Sequence, residues 1–174
     1  MTETKQITLH DVLGAALVNE TLGAKFYATM AGNAEEEDVR DIFHKLAEEE
    51  KEHRHLFQTL IEQHKNGREN ETIPDNKSAY FKFLADSNIF ATIIEAFKQR
   101  DQELSDIGPK DALSIGIQAE KDSILLYQEL FTSTADDSVK GAISKLLEEE
   151  KIHLLELRQQ LEDFQSQTKN MGTP

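Results

Sequence analysis

The sequence repeats itself at an offset of 100 residues, and this repeat limits the folds that are open to the chain. Aligned without a gap, residues 20–63 and 120–163 share 11 identities in 44 positions. Self-similarity of this kind indicates that one supersecondary unit is built twice. The identical pairs are Glu20/Glu120, Tyr27/Tyr127, Val39/Val139, Lys45-Leu46/Lys145-Leu146, Glu48-Glu49-Glu50-Lys51/Glu148-Glu149-Glu150-Lys151, His53/His153 and Glu62/Glu162.

Apolar residues recur at three- and four-residue steps in four long segments, which predicts four helices. Glycine and proline together number 8 + 3 = 11 of 174 residues, about half the usual share of roughly 12%, which disfavours a turn-rich β fold. We predict one all-α domain over residues 1–174, a four-helix bundle of two antiparallel hairpins. The helices cover about residues 8–31, 34–64, 109–131 and 135–164.

A long crossover, about residues 65–108, is expected to connect the two hairpins. Asn66-Gly67 and Pro74 indicate an exposed loop at its start. One extra helix is predicted over about Tyr80 to Leu104, which Asp86-Ser87-Asn88 could interrupt.

Polar residues interrupt the apolar stripe of each half at matching places. Glu50 and His53 share a helix face at i, i+3. Glu20 and Glu50 each lie ~15 residues from the turn, roughly 22 Å along their helices, and are therefore level across the hairpin. Four buried carboxylates without partners would each cost several kcal/mol, whereas two divalent cations would balance them. We predict a paired metal site formed by Glu20, Glu50, His53, Glu120, Glu150 and His153.

The remaining histidines have simpler interpretations. Glu52 and His55 form a third Glu-x-x-His pair, but on the outer face of their helix, where water solvates them. His10, His44 and His64 are expected to be ordinary surface or loop residues. A bundle that binds no metal at all remains an alternative.

Charge and composition exclude several classes of function. The chain has 33 acidic and 19 basic residues and a formal net charge of −14, which argues against binding to nucleic acid or to an anionic membrane. It has no cysteine, so no thiol nucleophile, disulfide or cysteine-ligated metal is available. No apolar stretch reaches the ~18–20 residues of a membrane span, and no signal peptide is evident, so we expect a cytoplasmic protein.

These motifs resemble those of the rubrerythrin group of the ferritin-like superfamily. The six predicted ligands match the pattern of ferritin-like di-iron and di-manganese carboxylate bundles. The resemblance covers nearly all of residues 8–164 and implies a ferritin-like bundle. The matching stretches are Asn19-Glu20, Phe26-Tyr27, Met30-Ala31, Phe43, Leu46-Ala47-Glu48-Glu49-Glu50, His53, Glu120-Lys121-Asp122-Ser123, Tyr127, Leu146-Leu147-Glu148-Glu149-Glu150-Lys151 and His153.

The resemblance also implies roles for individual residues. Glu50 and Glu150 would bridge two metal ions, and the terminal ligands would be Glu20 with His53 and Glu120 with His153. Tyr27 and Tyr127 would hydrogen-bond the ligand carboxylates, the alternative being that they only fill the core. Glu49 and Glu149 could accept the free N–H of the metal histidine on the opposite hairpin. Their alternative is an exposed flank in an acidic run.

The activity that the resemblance implies is reduction of hydrogen peroxide or O₂ at a di-iron site, of the peroxidase or ferroxidase type. The alternative is a non-catalytic protein that binds or stores iron, zinc or manganese. Two metal ions per chain are expected; iron leads, with manganese or zinc open, because ligand type alone does not select among them.

Two departures from the family pattern bear on this activity. Many rubrerythrins carry a second glutamate one turn after the third-helix ligand, where this chain has Ser123, so we expect a symmetric site. Many also carry a cysteine-ligated rubredoxin domain, which a chain without cysteine lacks. Electrons would therefore come from an external donor, rubredoxin-like or another reductase, or from Fe²⁺. By resemblance, the chain is also expected to form a homodimer.

Overall fold

Four long helices form a bundle in the computed structural model, which describes residues 6–64, 72–86 and 88–171. α1 packs along α2 and α5 along α6, while contacts of α2 with α6 and of α1 with α5 join these two hairpins. No β-strand occurs in the described ranges, so the predicted all-α bundle is confirmed. The helices are α1 (Leu9–Asn33), α2 (Glu37–His64), α3 (Asp75–Asp86), α4 (Ile89–Gln99), α5 (Pro109–Ser133) and α6 (Asp137–Met171), with a 3-10 turn over Leu104–Asp106.

The starts of the helices follow from local chemistry. Thr8 caps α1 by accepting from the backbone N–H of Asp11, whose carboxylate in turn accepts from Thr8. This reciprocal pair satisfies two backbone donors that the first turn leaves unpaired. Pro109 opens α5 at a position where no backbone N–H is needed. Asn88 caps α4 by accepting from Ala91 N.

The crossover contains two helices, separated at the place where the sequence indicated that the extra helix could be interrupted. α3 ends at Asp86, and Asn88 caps the start of α4. Ser87 and the predicted loop residues Asn66-Gly67 lie outside the described residues. The last bundle helix was predicted to end at about residue 164, but α6 continues to Met171.

Two apolar clusters fill the bundle, and each of the four long helices places a buried glutamate in a polar layer between them. On α1, for example, Leu13 belongs to one cluster and Phe26 to the other, and Glu20 lies between. The crossover contributes to both clusters, through Phe81 of α3 to the first and through Phe90 of α4 to the second. The polar layer is therefore closed off by apolar packing on both sides. Within the described part of the chain, no helix is long and apolar enough to cross a membrane.

Candidate metal centre

The six residues predicted as ligands all lie in the buried polar layer. Each of these six residues is at most 5% exposed. Each of the four long helices contributes, because the repeat places one glutamate on the first helix of each hairpin and a Glu-x-x-His pair on the second. The contributing residues are Glu20 on α1, Glu50 and His53 on α2, Glu120 on α5, and Glu150 and His153 on α6.

The six side chains form two overlapping groups that could each hold one metal ion. In each group, four residues offer one ligand atom each, and these four atoms all lie within 4.8 Å of one another. Both groups contain Glu50 and Glu150. The groups are Glu20, Glu50, His53 and Glu150, and Glu50, Glu120, Glu150 and His153.

The histidines present their Nδ1 atoms to the centre of the layer. His53 Nδ1 lies 3.3 Å from Glu150 Oε1 and 3.6 Å from Glu20 Oε2. His153 Nδ1 lies 3.3 Å from Glu150 Oε2 and 3.8 Å from Glu120 Oε2. The two imidazole rings stack with their centroids 5.5 Å apart. The arrangement is thus nearly symmetric about Glu150.

The atoms that converge on this centre fit a pair of metal ions. Among the described residues, Glu20 Oε2, both carboxylate oxygens of Glu150, and the Nδ1 atoms of His53 and His153 are buried without a hydrogen-bond partner. Buried polar atoms are nearly always paired, and an unpaired buried charge is costly. Carboxylate oxygens and imidazole nitrogens are ligands of iron, manganese and zinc. Metal ions would supply the partners that these atoms lack.

Without metal, protons balance the charge of the buried carboxylates. Burial and the negative charge of Glu150 raise the pKa of Glu120 to about 8. Burial likewise raises the pKa of Glu20 and of Glu50 well above the ordinary value. Burial would also raise the pKa of Glu150, but the two imidazoles 3.3 Å away outweigh it and hold that pKa well below its usual range. Glu150 is therefore the carboxylate that stays ionised.

The two histidines also bind protons more tightly in this layer, because carboxylates lie next to them. Burial lowers the pKa of His53, but the Glu150 carboxylate outweighs burial and raises this pKa to about 9. Burial lowers the pKa of His153 as well, while Glu120 and Glu150 together raise it to about 11. Metal ions must therefore displace protons from this layer when they bind.

Four further side chains contact the central residues, and each of them belongs to the hairpin opposite that of the residue it contacts. Tyr27 donates its hydroxyl hydrogen to Glu120 Oε1 over 2.5 Å, and Tyr127 donates to Glu20 Oε1. His53 Nε2 lies 3.1 Å from Glu149 Oε2, and His153 Nε2 lies 3.1 Å from Glu49 Oε2. The structure thus brings Tyr27, Tyr127, Glu49 and Glu149 against the six central residues, in positions where they can fix carboxylate and imidazole orientation.

Two asparagines beside this centre were not predicted from the sequence. Asn19 donates to Ser123 Oγ at 2.8 Å and to the Tyr127 hydroxyl at 3.3 Å. Asn88 of the crossover donates to Asn19 Oδ1 at 2.7 Å. The signal available for Asn19 was a polar amide inside a long helix, next to a predicted ligand, where asparagine is otherwise unfavourable.

His64 was expected to be a surface or loop residue, and this is wrong. It is only 6% exposed, because the last turn of α2 lies against the start of α6. His64 Nδ1 lies 2.8 Å from Leu60 O, and its Nε2 lies 3.4 Å from Asp136 Oδ2. This histidine links the two hairpins away from the metal centre. His55 and Glu52 are exposed, as predicted.

Comparisons with known proteins show the fold and the family of this chain. A search of functionally curated proteins finds no match. The structure is similar to the crystal structure of a candidate ferritin-like diiron-carboxylate protein from Thermotoga maritima, with a TM-score of 0.66 and 22% sequence identity over 90% of this chain and 96% of that chain. That likeness shows the fold. The model of the Rubrerythrin family matches residues 11–161, and the chain therefore belongs to the rubrerythrin family.

Proposed function

We propose that this protein is a non-haem di-iron oxidoreductase that reduces hydrogen peroxide or O₂. The observation that carries the proposal is the pair of buried ligand groups that share Glu50 and Glu150. Two ions held by shared carboxylates can act as one two-electron centre. Membership of the rubrerythrin family supports the same reaction class.

The residues present divide naturally between two ions. Glu20 and His53 would bind one ion, Glu120 and His153 the other, and Glu50 and Glu150 would contact both. When bound, two ferrous ions supply one electron each, which balances the reaction H₂O₂ + 2 e⁻ + 2 H⁺ → 2 H₂O.

The chain contributes orientation, exclusion of water and held protons. Tyr27 and Tyr127 each keep a proton at the hydroxyl oxygen and direct it at one oxygen of a ligand carboxylate. The other oxygen of Glu20, Oε2, is left facing the centre. The apolar clusters on both sides of the layer keep bulk water out, which strengthens every electrostatic interaction inside.

The proposal includes partners that complete the turnover. A chain without cysteine has no thiolate-bound iron of its own to deliver electrons. We propose that an external donor, rubredoxin-like or another reductase, or substrate Fe²⁺ restores the reduced centre. By resemblance to rubrerythrins we further propose a homodimer. We also propose that the protein works in the cytoplasm.

Anaerobic Fe²⁺ titration followed by peroxide tests this function. The metal-free chain should take up two Fe²⁺ ions, and one equivalent of H₂O₂ should then oxidise both, seen as near-ultraviolet ferric absorption. Glu50→Ala and Glu150→Ala should each lower the stoichiometry, whereas Glu52→Ala, on the exposed side of α2, should leave it at two. A stoichiometry of two in both core variants would refute the site.

Steady-state peroxide consumption with an artificial reductant separates the enzyme from its alternative. Iron uptake without consumption would identify a protein that binds or stores iron, zinc or manganese. A bundle that binds no metal would instead become more stable on His53→Leu, because a buried polar group would be replaced by an apolar one.

A further inference from the structure

The two halves of the metal centre are surrounded differently, although their six central residues are nearly symmetric. The repeat pairs Glu20 with Glu120 and Tyr127 with Tyr27. The residues next to these pairs differ between the two halves. Asn19 corresponds to Ala119. Ser123, likewise, corresponds to Gly23. The polar side chains of both mismatched pairs lie on the Glu20 side of the centre.

On the Glu20 side, the Tyr127 hydroxyl is held from two directions. The hydroxyl donates to Glu20 Oε1 and accepts from the Asn19 amide at 3.3 Å. A hydroxyl group has one hydrogen to donate. Because the amide occupies a lone pair of the oxygen, the hydrogen remains directed at Glu20.

The orientation of the Asn19 amide is itself fixed by the crossover. Asn19 Oδ1 accepts from Asn88 Nδ2 at 2.7 Å, so its nitrogen must face Tyr127 and Ser123. Asn88 Oδ1 in turn accepts from Ala91 N at 2.8 Å and caps α4. A continuous chain of hydrogen bonds therefore runs from the start of α4 to Glu20. The crossover occurs once in the sequence, so the other half has no counterpart.

On the Glu120 side, Tyr27 is held by apolar packing. Its ring contacts Phe26, Phe43 and Phe90, with centroids 5.6 to 5.9 Å away. Within residues 6–64, 72–86 and 88–171, no side chain donates a hydrogen bond to the Tyr27 hydroxyl. Ala119, at the position equivalent to Asn19, has no polar side-chain atom to offer.

We infer that Asn19 is a positioning residue that makes the Glu20–His53 half bind its metal ion more tightly than the Glu120–His153 half. This inference rests on the proposed binding of two ions. Through Tyr127, Asn19 holds Glu20 Oε1, so Oε2 already faces the centre before metal arrives. A ligand group ordered in advance loses less freedom on binding.

Calorimetric titration of the metal-free full chain with Co²⁺ tests the inference. The wild-type chain should bind two ions in two resolved steps. Glu20→Gln should abolish the tighter step, and Glu120→Gln the weaker one. Asn19→Ala, which installs the residue of the other half, should raise the Kd of the tighter step about fivefold, as expected for one hydrogen bond. The weaker step should change less than about twofold.

Two further variants guard against a trivial loss of folding. Asn88→Ser keeps a capping oxygen for α4 but loses the amide that holds Asn19, and should raise only the tighter Kd, by about two- to threefold. Asn33→Ala, at the exposed end of α1, should change neither step.

The outcomes separate this inference from the function on which it rests. An Asn19→Ala chain that binds two ions with unchanged constants, or with both constants raised equally, would overturn the role of Asn19 alone. Loss of the tighter step in Glu120→Gln would do the same. A wild-type chain that binds fewer than two ions would overturn the proposed function together with the inference.

Discussion

Tyr27 on α1 donates its hydroxyl hydrogen to Glu120 on α5, 2.5 Å away, so a residue of the first hairpin orients a carboxylate of the second. Tyr127 on α5 makes the reciprocal bond to Glu20 on α1. His53 on α2 contacts Glu149 on α6 in the same crosswise manner. Each half of the repeat therefore supplies the outer partners of the other half, and the centre exists only when both hairpins are packed together.

Removing one of the two tyrosine hydrogen bonds should destabilise the bundle measurably. Tyr27→Phe leaves the ring in place but strands a buried oxygen of Glu120. We expect the free energy of unfolding to fall by about 1–3 kcal/mol, the cost of an unsatisfied buried acceptor. Urea unfolding of the metal-free protein measures this loss. The matched control is Tyr80→Phe on an exposed tyrosine of α3, which should change stability by less than about 0.5 kcal/mol.

Gly116 on α5 leaves space for the side chain of Tyr27. A β-carbon at Gly116 would lie 3.1 Å from Leu157 Cδ1 and 3.2 Å from the Tyr27 hydroxyl oxygen. Gly116→Ala should therefore lower stability by about 1–2 kcal/mol, because overpacking outweighs the gain in helix propensity. Gly141→Ala on α6, with no neighbour within 4 Å, should instead raise it by up to about 1 kcal/mol. Urea midpoints that shift in the same direction would contradict this.

The metal-free protein should lose stability as pH rises through the neutral range. Folding raises the pKa of Glu120 from 4.5 to about 8 and that of His53 from 6.5 to about 9. A raised pKa means that the native state binds protons more tightly than the unfolded chain, so stability falls as pH rises through these windows. Glu150, whose pKa is lowered, loses its contribution only in acid. We expect the melting temperature at pH 8.5 to lie about 5 °C or more below that at pH 6.

Two further melting experiments test whether this pH dependence arises at the metal centre. Glu120→Gln stays neutral at every pH and should flatten the fall between pH 5 and pH 8. Metal-loaded protein should show the opposite trend, because metal affinity rises as protons leave the ligands. Thermal melting of both, in chelator and in excess metal, provides the measurement. If the melting temperature of the metal-free protein rises from pH 6 to pH 8.5, the raised pKa values of Glu120 and His53 are contradicted.

The layer of Glu20, Glu50 and His53 could be predicted from the sequence because helical geometry is periodic. A turn halfway between Glu20 and Glu50 places them level, and three residues place His53 on the face of Glu50. The repeat, at a constant offset of 100 residues, then gives the second half. These are local arguments, and they need no knowledge of how the hairpins cross.

The asymmetry around the layer could not be predicted in this way. Asn19 and Asn88 are 69 residues apart, and their contact depends on how the crossover lies across the bundle. The crossover occurs once, so no repeat constrains its position, and the sequence left open whether its extra helix is interrupted. His64 shows the same limit, since its burial depends on the packing of the end of α2 against Asp136.

Loss of the carboxylate behind a histidine should weaken metal binding without unfolding the protein. His53 Nε2 lies 3.1 Å from Glu149 Oε2, and such outer partners fix the ring orientation of metal-binding histidines, typically at a cost of 10- to 100-fold in affinity when lost. We expect Glu149→Ala to weaken Fe²⁺ binding about tenfold in competition with a chelator. Because the Glu149 side chain is 56% exposed, the melting temperature of the metal-free protein should barely change. Glu148→Ala removes the neighbouring glutamate, which pairs with Lys151 at the surface, and should leave the affinity unchanged; equal affinities in the two variants would exclude this role for Glu149.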